Sequence, residues 1–143
     1  MNVLLLAPQP FYTERGTPIA VDLLLRALSE RGEQVDLLTY HEGADVSHPG
    51  LRIFRIRKPL LVNRVSPGFS LKKVICDLAM FPKAAAMMRD RRYDVIHAVE
   101  ESVFIAMRLS RKFGVPYLYD MDSSLAQQMV EKNPLFRLAG PIL

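Results

Sequence analysis

Two adjacent carboxylates, Glu100 and Glu101, follow a short apolar run that carries His97. A carboxylate just past a strand end can accept the proton of a substrate hydroxyl or hold a sugar hydroxyl. The same residues have a plain structural use, with Glu101 or Ser102 capping a helix and His97 buried as a satisfied core imidazole. Asp120 and Asp122, two apart and followed by Ser123, form a second candidate. Such a pair could hold a metal or act as nucleophile and acid of a phosphatase. Asp120 as a polar strand end and Asp122 or Ser123 as a helix cap would explain them equally simply, and no metal site is expected. The third candidate is Gly16-Thr17-Pro18, preceded by Arg15. Free N–H groups and the helix dipole at a helix start attract phosphate. The spacing matches neither the dinucleotide glycine pattern nor a Walker A loop.

These groups can cooperate only if the chain gathers them. Val3 to Ala7 is a continuous apolar run ended by Pro8, as in a strand buried on both faces. Thr17 and Pro18 read as N-cap and first helical residue, opening a helix to about Arg31. Its apolar side is expected to be Ala20, Leu23, Leu24, Ala27 and Leu28, with an Asp22–Arg26 pair opposite. Gly32 closes it. A second strand follows over residues 34–40 and a third, nearer the sheet edge, over 51–57. Residues 70–92 read as a long helix, kinked or broken near Pro82. A strand over 93–98, a helix over 102–113 closed by Gly114, and a strand over 116–120 complete the pattern. Ser124 to Gln127 is a capping-box pattern that opens another helix. The order βαββαβαβα, with mostly apolar strands, predicts a three-layer α/β/α domain around a doubly wound parallel sheet. Ligands of such sheets bind beyond the carboxyl ends of the strands, where the strand order reverses. The segments 8–17, 97–102 and 120–124 are expected to meet there. The long loop after the first strand favours binding over mere connection.

Composition narrows the classes. The chain has 143 residues, half of them apolar and 24% charged, which fits one domain with a real core. One cysteine, Cys76, excludes an internal disulfide framework and a four-thiolate zinc site, and fits a reducing, cytoplasmic setting. Cys76, Met80, Met87 and Met88 read as core packing. No apolar run is long enough to span a bilayer, and the first seven residues lack the basic start of a signal peptide. The net charge is only +4, but eleven basic residues and two acidic ones lie between Arg52 and Arg92. Mixed with Leu60, Leu61, Val62, Phe69, Met80 and Phe81, they suit an anionic membrane surface, at the inner face of the membrane, better than nucleic acid. A solvated helix face is the simpler account of such a charge block.

The chain resembles the N-terminal domain of glycosyltransferase family 4, of the GT-B fold. The resemblance covers nearly the whole chain. It rests on Val3-Leu-Leu-Leu-Ala-Pro8, Gly16-Thr-Pro-Ile19, Leu28-Ser-Glu-Arg-Gly32, Val35-Asp-Leu-Leu-Thr39, Tyr93-Asp-Val-Ile-His97, Gly114-Val-Pro116 and Tyr119-Asp120, in that order and spacing. It implies a Rossmann-like half of a GT-B enzyme. Residues 1–143 would be the acceptor-side domain, and the donor-binding domain would lie outside this chain, leaving the piece inactive alone. It implies transfer from a nucleotide-sugar, a co-substrate with no further cofactor, to a hydroxyl acceptor, with retention of configuration. Gly16 and Thr17 would meet the donor diphosphate. Glu100 or Glu101 would serve acceptor activation, with Arg15, His97, Asp120, Asp122 and Ser123 lining the cleft. Arg15 stands where the family often has another glycine, and Val99 where many members carry a second histidine. Family members that dock on membranes through basic and apolar residues match the Arg52 to Arg92 stretch. A stand-alone α/β binding or regulatory module, and an Asp120/Asp122 phosphatase, remain the alternatives.

Overall fold

The computed structural model describes residues 1–66 and 70–121. Five strands, β1 (Asn2–Ala7), β2 (Gln34–Thr39), β3 (Leu51–Arg55), β4 (Val95–Val99) and β5 (Tyr117–Asp120), form one sheet in the order β3-β2-β1-β4-β5. Every pairing is parallel. The helices are α1 (Gly16–Glu30), α2 (Leu71–Asp90) and α3 (Val103–Phe113), and a single 3₁₀ turn (Glu100–Ser102) precedes α3. This is the expected doubly wound α/β architecture.

The central position of β1 explains why it is apolar from Val3 to Ala7. Leu4 and Leu6 pack with Ile96 and Ala98 of β4 under Cys76, Met80 and Ala84 of α2 and Ile105, Ala106 and Leu109 of α3. Val3, Leu5 and Ala7 turn to the other face, against Val21 and Leu25 of α1. Alternate residues of β1 thus serve two cores, which a strand buried on both faces requires. Because β2 leads away from β1 one way and β4 the other, the order reverses between β1 and β4. The loops after these two strands leave on opposite faces and open a crevice.

Several local expectations are corrected. Helix α1 begins at Gly16 with Arg15 as its extended N-cap residue, and no side chain caps it. Thr17 is inside the first turn, and its hydroxyl is spent on a tertiary contact described below. The buried face of α1 is Pro18, Val21 and Leu25, while Leu23 is exposed. The helix is therefore rotated from the face expected, because apolar residues surround it and only packing selects among them. Asp22 bonds His48 Nε2 at 2.8 Å rather than Arg26. Helix α2 passes Pro82 without a break. Pro82 and Leu78, whose carbonyl loses its helical donor, both lie on the solvent side, where water can replace the bond. Ser102 does not cap α3; its hydroxyl donates within the β4–α3 turn and to β1, with Leu6 O at 3.0 Å and Val99 O at 2.7 Å. The apolar tail and the helix expected from Ser124 lie outside the described residues.

Candidate functional site

The loop after β1 is fixed before it reaches α1. Phe11 is fully buried among the residues packed on α1. Its backbone N–H bonds Glu42 O at 3.1 Å, Tyr12 exchanges bonds with Ala44, and Tyr40 N–H bonds Gln9 O. Thr39 Oγ1 donates to Gln9 O at 2.6 Å. Gly43 permits this crossing: it has φ +117°, and a Cβ there would lie 2.1 Å from Phe11 O. The loops after β1 and β2 are thus laced together by main-chain bonds that do not depend on exposed side chains.

This rim borders a cleft of about 640 Å³ at the carboxyl ends of the strands. Arg15, Gly16 and Thr17 line it from the start of α1, and Glu100 from the end of β4. A Cβ on Gly16 would meet nothing within 4 Å, so the backbone there is open to a ligand. The first-turn N–H groups of Gly16 and Thr17 have no partner within the helix. Pro18 behind them contributes none. Glu100 has φ +49°, a left-handed conformation uncommon for a residue with a side chain. This turn sends the two neighbouring carboxylates different ways. Glu100 Oε1 accepts from Thr17 Oγ1 at 3.4 Å. Glu101 pairs with Lys73 Nζ and lines a groove between α2 and α3 instead of the cleft. Lys73 Nζ is also 3.9 Å from Glu100 Oε2, and all three side chains are mostly buried.

Behind Glu101 lies a second buried carboxyl. Tyr40 donates its hydroxyl to Asp77 Oδ1. Burial, helped by the nearby Glu101 and Glu100 charges, pushes the Asp77 carboxyl up to about 7, against the opposing pull of Tyr40 and Lys73. Burial raises the Tyr40 phenol as well.

His97 and Asp120 sit beside one another across β4 and β5, with His97 Nε2 3.7 Å from Asp120 Oδ2. Burial lowers the His97 pKa, and Asp120 partly offsets it. Neither residue lines the cleft wall that holds Gly16 and Glu100. Asp122 and Ser123 lie outside the described residues. The structure therefore brings together Arg15, Gly16, Thr17 and Glu100 of the predicted set. It singles out Gln9 and Thr13 within the expected 8–17 loop, and adds Glu42, Arg64 and Lys73, which sequence reasoning missed. Lys73 left a trace in the sequence: it heads the stripe Lys73, Cys76, Met80, Ala84, Met87, a cation on the buried side of a helix. Glu42 and Arg64 come from loops with no periodicity to mark them. Of the long basic stretch, Arg52 is committed to Asp36, Arg55 to Asp45 and Lys73 to Glu101. No helix among the described residues is long and apolar enough to cross a membrane.

An open five-stranded parallel sheet flanked by helices, with a helix start and a carboxylate facing each other at the switch point, is a Rossmann-like α/β domain. Residues 15–142 match the Glycosyl transferase 4-like domain, and the chain belongs to that family. No curated protein sequence matches the chain. Among solved structures, sucrose-phosphate synthase from Thermosynechococcus elongatus is similar at 20% identity and TM-score 0.57, over 82% of this chain and 32% of that one. A UGT transferase from Siraitia grosvenorii in complex with UDP is similar at 15% identity and TM-score 0.54, over 99% of this chain and 32% of that one. The C-terminal domain of a Pyrococcus furiosus hydrogenase is similar at 14% identity and TM-score 0.57, over 83% and 90% of the two chains. At these identities the likeness is one of fold. The chain spans about a third of the length of the two transferases, 32% of each.

Proposed function

We propose that this domain is the acceptor-side half of a nucleotide-sugar-dependent glycosyltransferase whose donor-binding half lies outside these 143 residues. The N–H groups of Gly16 and Thr17 meet the donor diphosphate. Glu100 accepts the hydrogen bond, and then the proton, of an acceptor hydroxyl. The acceptor oxygen bonds to the anomeric carbon as the bond from that carbon to the diphosphate breaks. Arg15 and Arg64 add positive charge at the phosphate side, and no metal or further cofactor is needed. Lys73 is a positioning residue, its ammonium lying within ion-pair reach of both glutamates. The observation that carries this reading is the meeting of the α1 start and Glu100 on one cleft at the switch point.

The test is transfer from a labelled nucleotide-sugar to a hydroxyl acceptor. The isolated chain is expected to give none, and the chain continued through its natural downstream sequence to give product that Glu100→Gln abolishes. Turnover by the isolated chain would overturn the half-enzyme reading.

A second reading concerns where the domain works. Leu60, Leu61 and Leu71 are 101%, 84% and 75% exposed. Arg57, Lys58 and Arg64 are exposed on the connection from β3 to α2, and Lys72 is exposed in the first turn of α2. Apolar side chains presented among cations suit docking on the cytoplasmic face of an anionic membrane. Sedimentation with anionic vesicles, reduced by Leu60→Ser with Leu61→Ser, is the expected result; equal binding to neutral vesicles, or none to either, defeats it.

A further inference from the structure

A second concave site lies at the opposite rim, by the amino ends of β1 and β2. It is a cavity of about 440 Å³. Its floor is Asp36, a carboxylate in β2 with a side chain only 4% exposed. Asp36 faces Arg52 directly across the β2–β3 ladder. The guanidinium contacts both oxygens: Nε donates to Oδ1 and NH2 to Oδ2, each at 2.8 Å, and NH2 is also 2.6 Å from Oδ1. Tyr93 adds its hydroxyl to Oδ2 at 2.6 Å. This already satisfies and neutralises the buried acid. Yet Arg91 lies 3.7 Å from Oδ2, a long contact, and Arg92 lines the same cavity with no carboxylate in ion-pair reach among the described residues.

Two guanidiniums therefore reach one carboxylate, and a third arginine lines the same cavity. Cations at the end of α2 complement the helix dipole, but Arg89 in the last turn already serves that purpose. Arg91 has left the helix: its backbone is extended, at φ −140° and ψ 152°. The remaining wall carries the amides of Asn2 and Gln34. Asp94, the neighbouring acid, is turned to the Asn2 N–H at 2.6 Å.

We propose that this cavity is a binding site for a phosphate monoester, separate from the cleft at the other end of the sheet. Arg91 and Arg92 supply the forked donors that match phosphate oxygens. Arg52, held rigid by Asp36, presents its unused edge as the third donor. The long basic stretch of the sequence thus does not act as one surface. Folding joins its two ends, Arg52 and Arg91–Arg92, into a single pocket.

The experiment is a titration of the chain with inorganic phosphate, followed by amide NMR, beside sedimentation with phosphatidylcholine vesicles with and without phosphatidic acid. Phosphate should shift the Asn2, Gln34 and Tyr93 amides saturably. The Arg91→Ala, Arg92→Ala double variant should weaken that response by about tenfold or more. Arg111→Ala with Lys112→Ala, which removes the same charge from α3, should leave it unchanged. A soluble ligand is indicated if phosphate binds and the vesicles do not retain the protein. A lipid headgroup is indicated if phosphatidic acid vesicles retain it and the Arg91/Arg92 variant is lost from them. Equal weakening by both double variants, or shifts confined to Gly16 and Thr17, would overturn the site while leaving the proposed transferase function untouched.

Discussion

Thr17 and Glu100 meet across the switch point of the sheet, 83 positions apart in sequence and 3.4 Å apart in space. One comes from the first turn of α1 and the other from the turn after β4, so the pair records that both loops face one cleft. It also distinguishes two glutamates that adjacency makes equivalent on paper.

That distinction predicts unequal mutants. In the proposed transferase, expressed with its downstream sequence, Glu100→Gln is expected to lower kcat by about 10²- to 10⁴-fold, the usual worth of a positioned acid–base group. Glu101→Gln should leave kcat within a few-fold and lower stability instead. Steady-state kinetics beside urea denaturation separate the two.

Lys73 holds both carboxylates in a mostly buried setting. Lys73→Met leaves both mostly buried carboxylates without their cation, and breaking such a group costs roughly 3–5 kcal/mol. A fall in the urea midpoint without a change in m-value is the expected signature. Adding Glu101→Gln to Lys73→Met should recover part of the loss.

Two glycines should respond in opposite ways. Gly43→Ala places a Cβ on the Phe11 backbone, and should cost at least about 2 kcal/mol by thermal unfolding. Gly16→Ala meets open space. It should leave stability unchanged or slightly higher, since alanine favours helix. It should weaken nucleotide-diphosphate binding by calorimetry, because the new methyl stands over the helix start.

Asp77 gives a pH signature. Its folded pKa of about 7 lies above the ordinary carboxyl value of 3.8, so between those limits the folded state holds a proton that the unfolded state has released. Its contribution is complete below the lower limit and is lost as pH rises toward 7, by an amount on the order of a few kcal/mol. His97, with a lowered pKa, acts in the opposite sense: its contribution is complete above the ordinary value and is lost as pH falls. Subtracting the denaturation curves of Asp77→Asn from those of the parent cancels His97. The difference should fall with rising pH; a flat difference would refute the assignment.

The frame of the fold was legible because β1 must be apolar on both faces and the strands after it alternate with helices. Its local detail was not. Thr17 before Pro18 has the form of a cap, but a hydroxyl with a tertiary partner does not cap. Apolar residues at 19, 20, 21, 23, 24, 25, 27 and 28 leave the inward face of α1 open until the sheet selects it. Gly16 and Glu100 could be named from their places after strands. Glu42, Arg64 and Lys73 enter the site through loop crossings and helix rotation, which no short spacing encodes. Asp36 was hidden for the same reason: its partners lie one strand over and at the far end of α2.

The lacing of the first two loops bears on how a ligand is received. Four main-chain bonds already tie residues 9–12 to residues 40–44. A rim ordered in advance has little conformational freedom to surrender on contact, so a ligand arriving there would meet a lock already cut to its key.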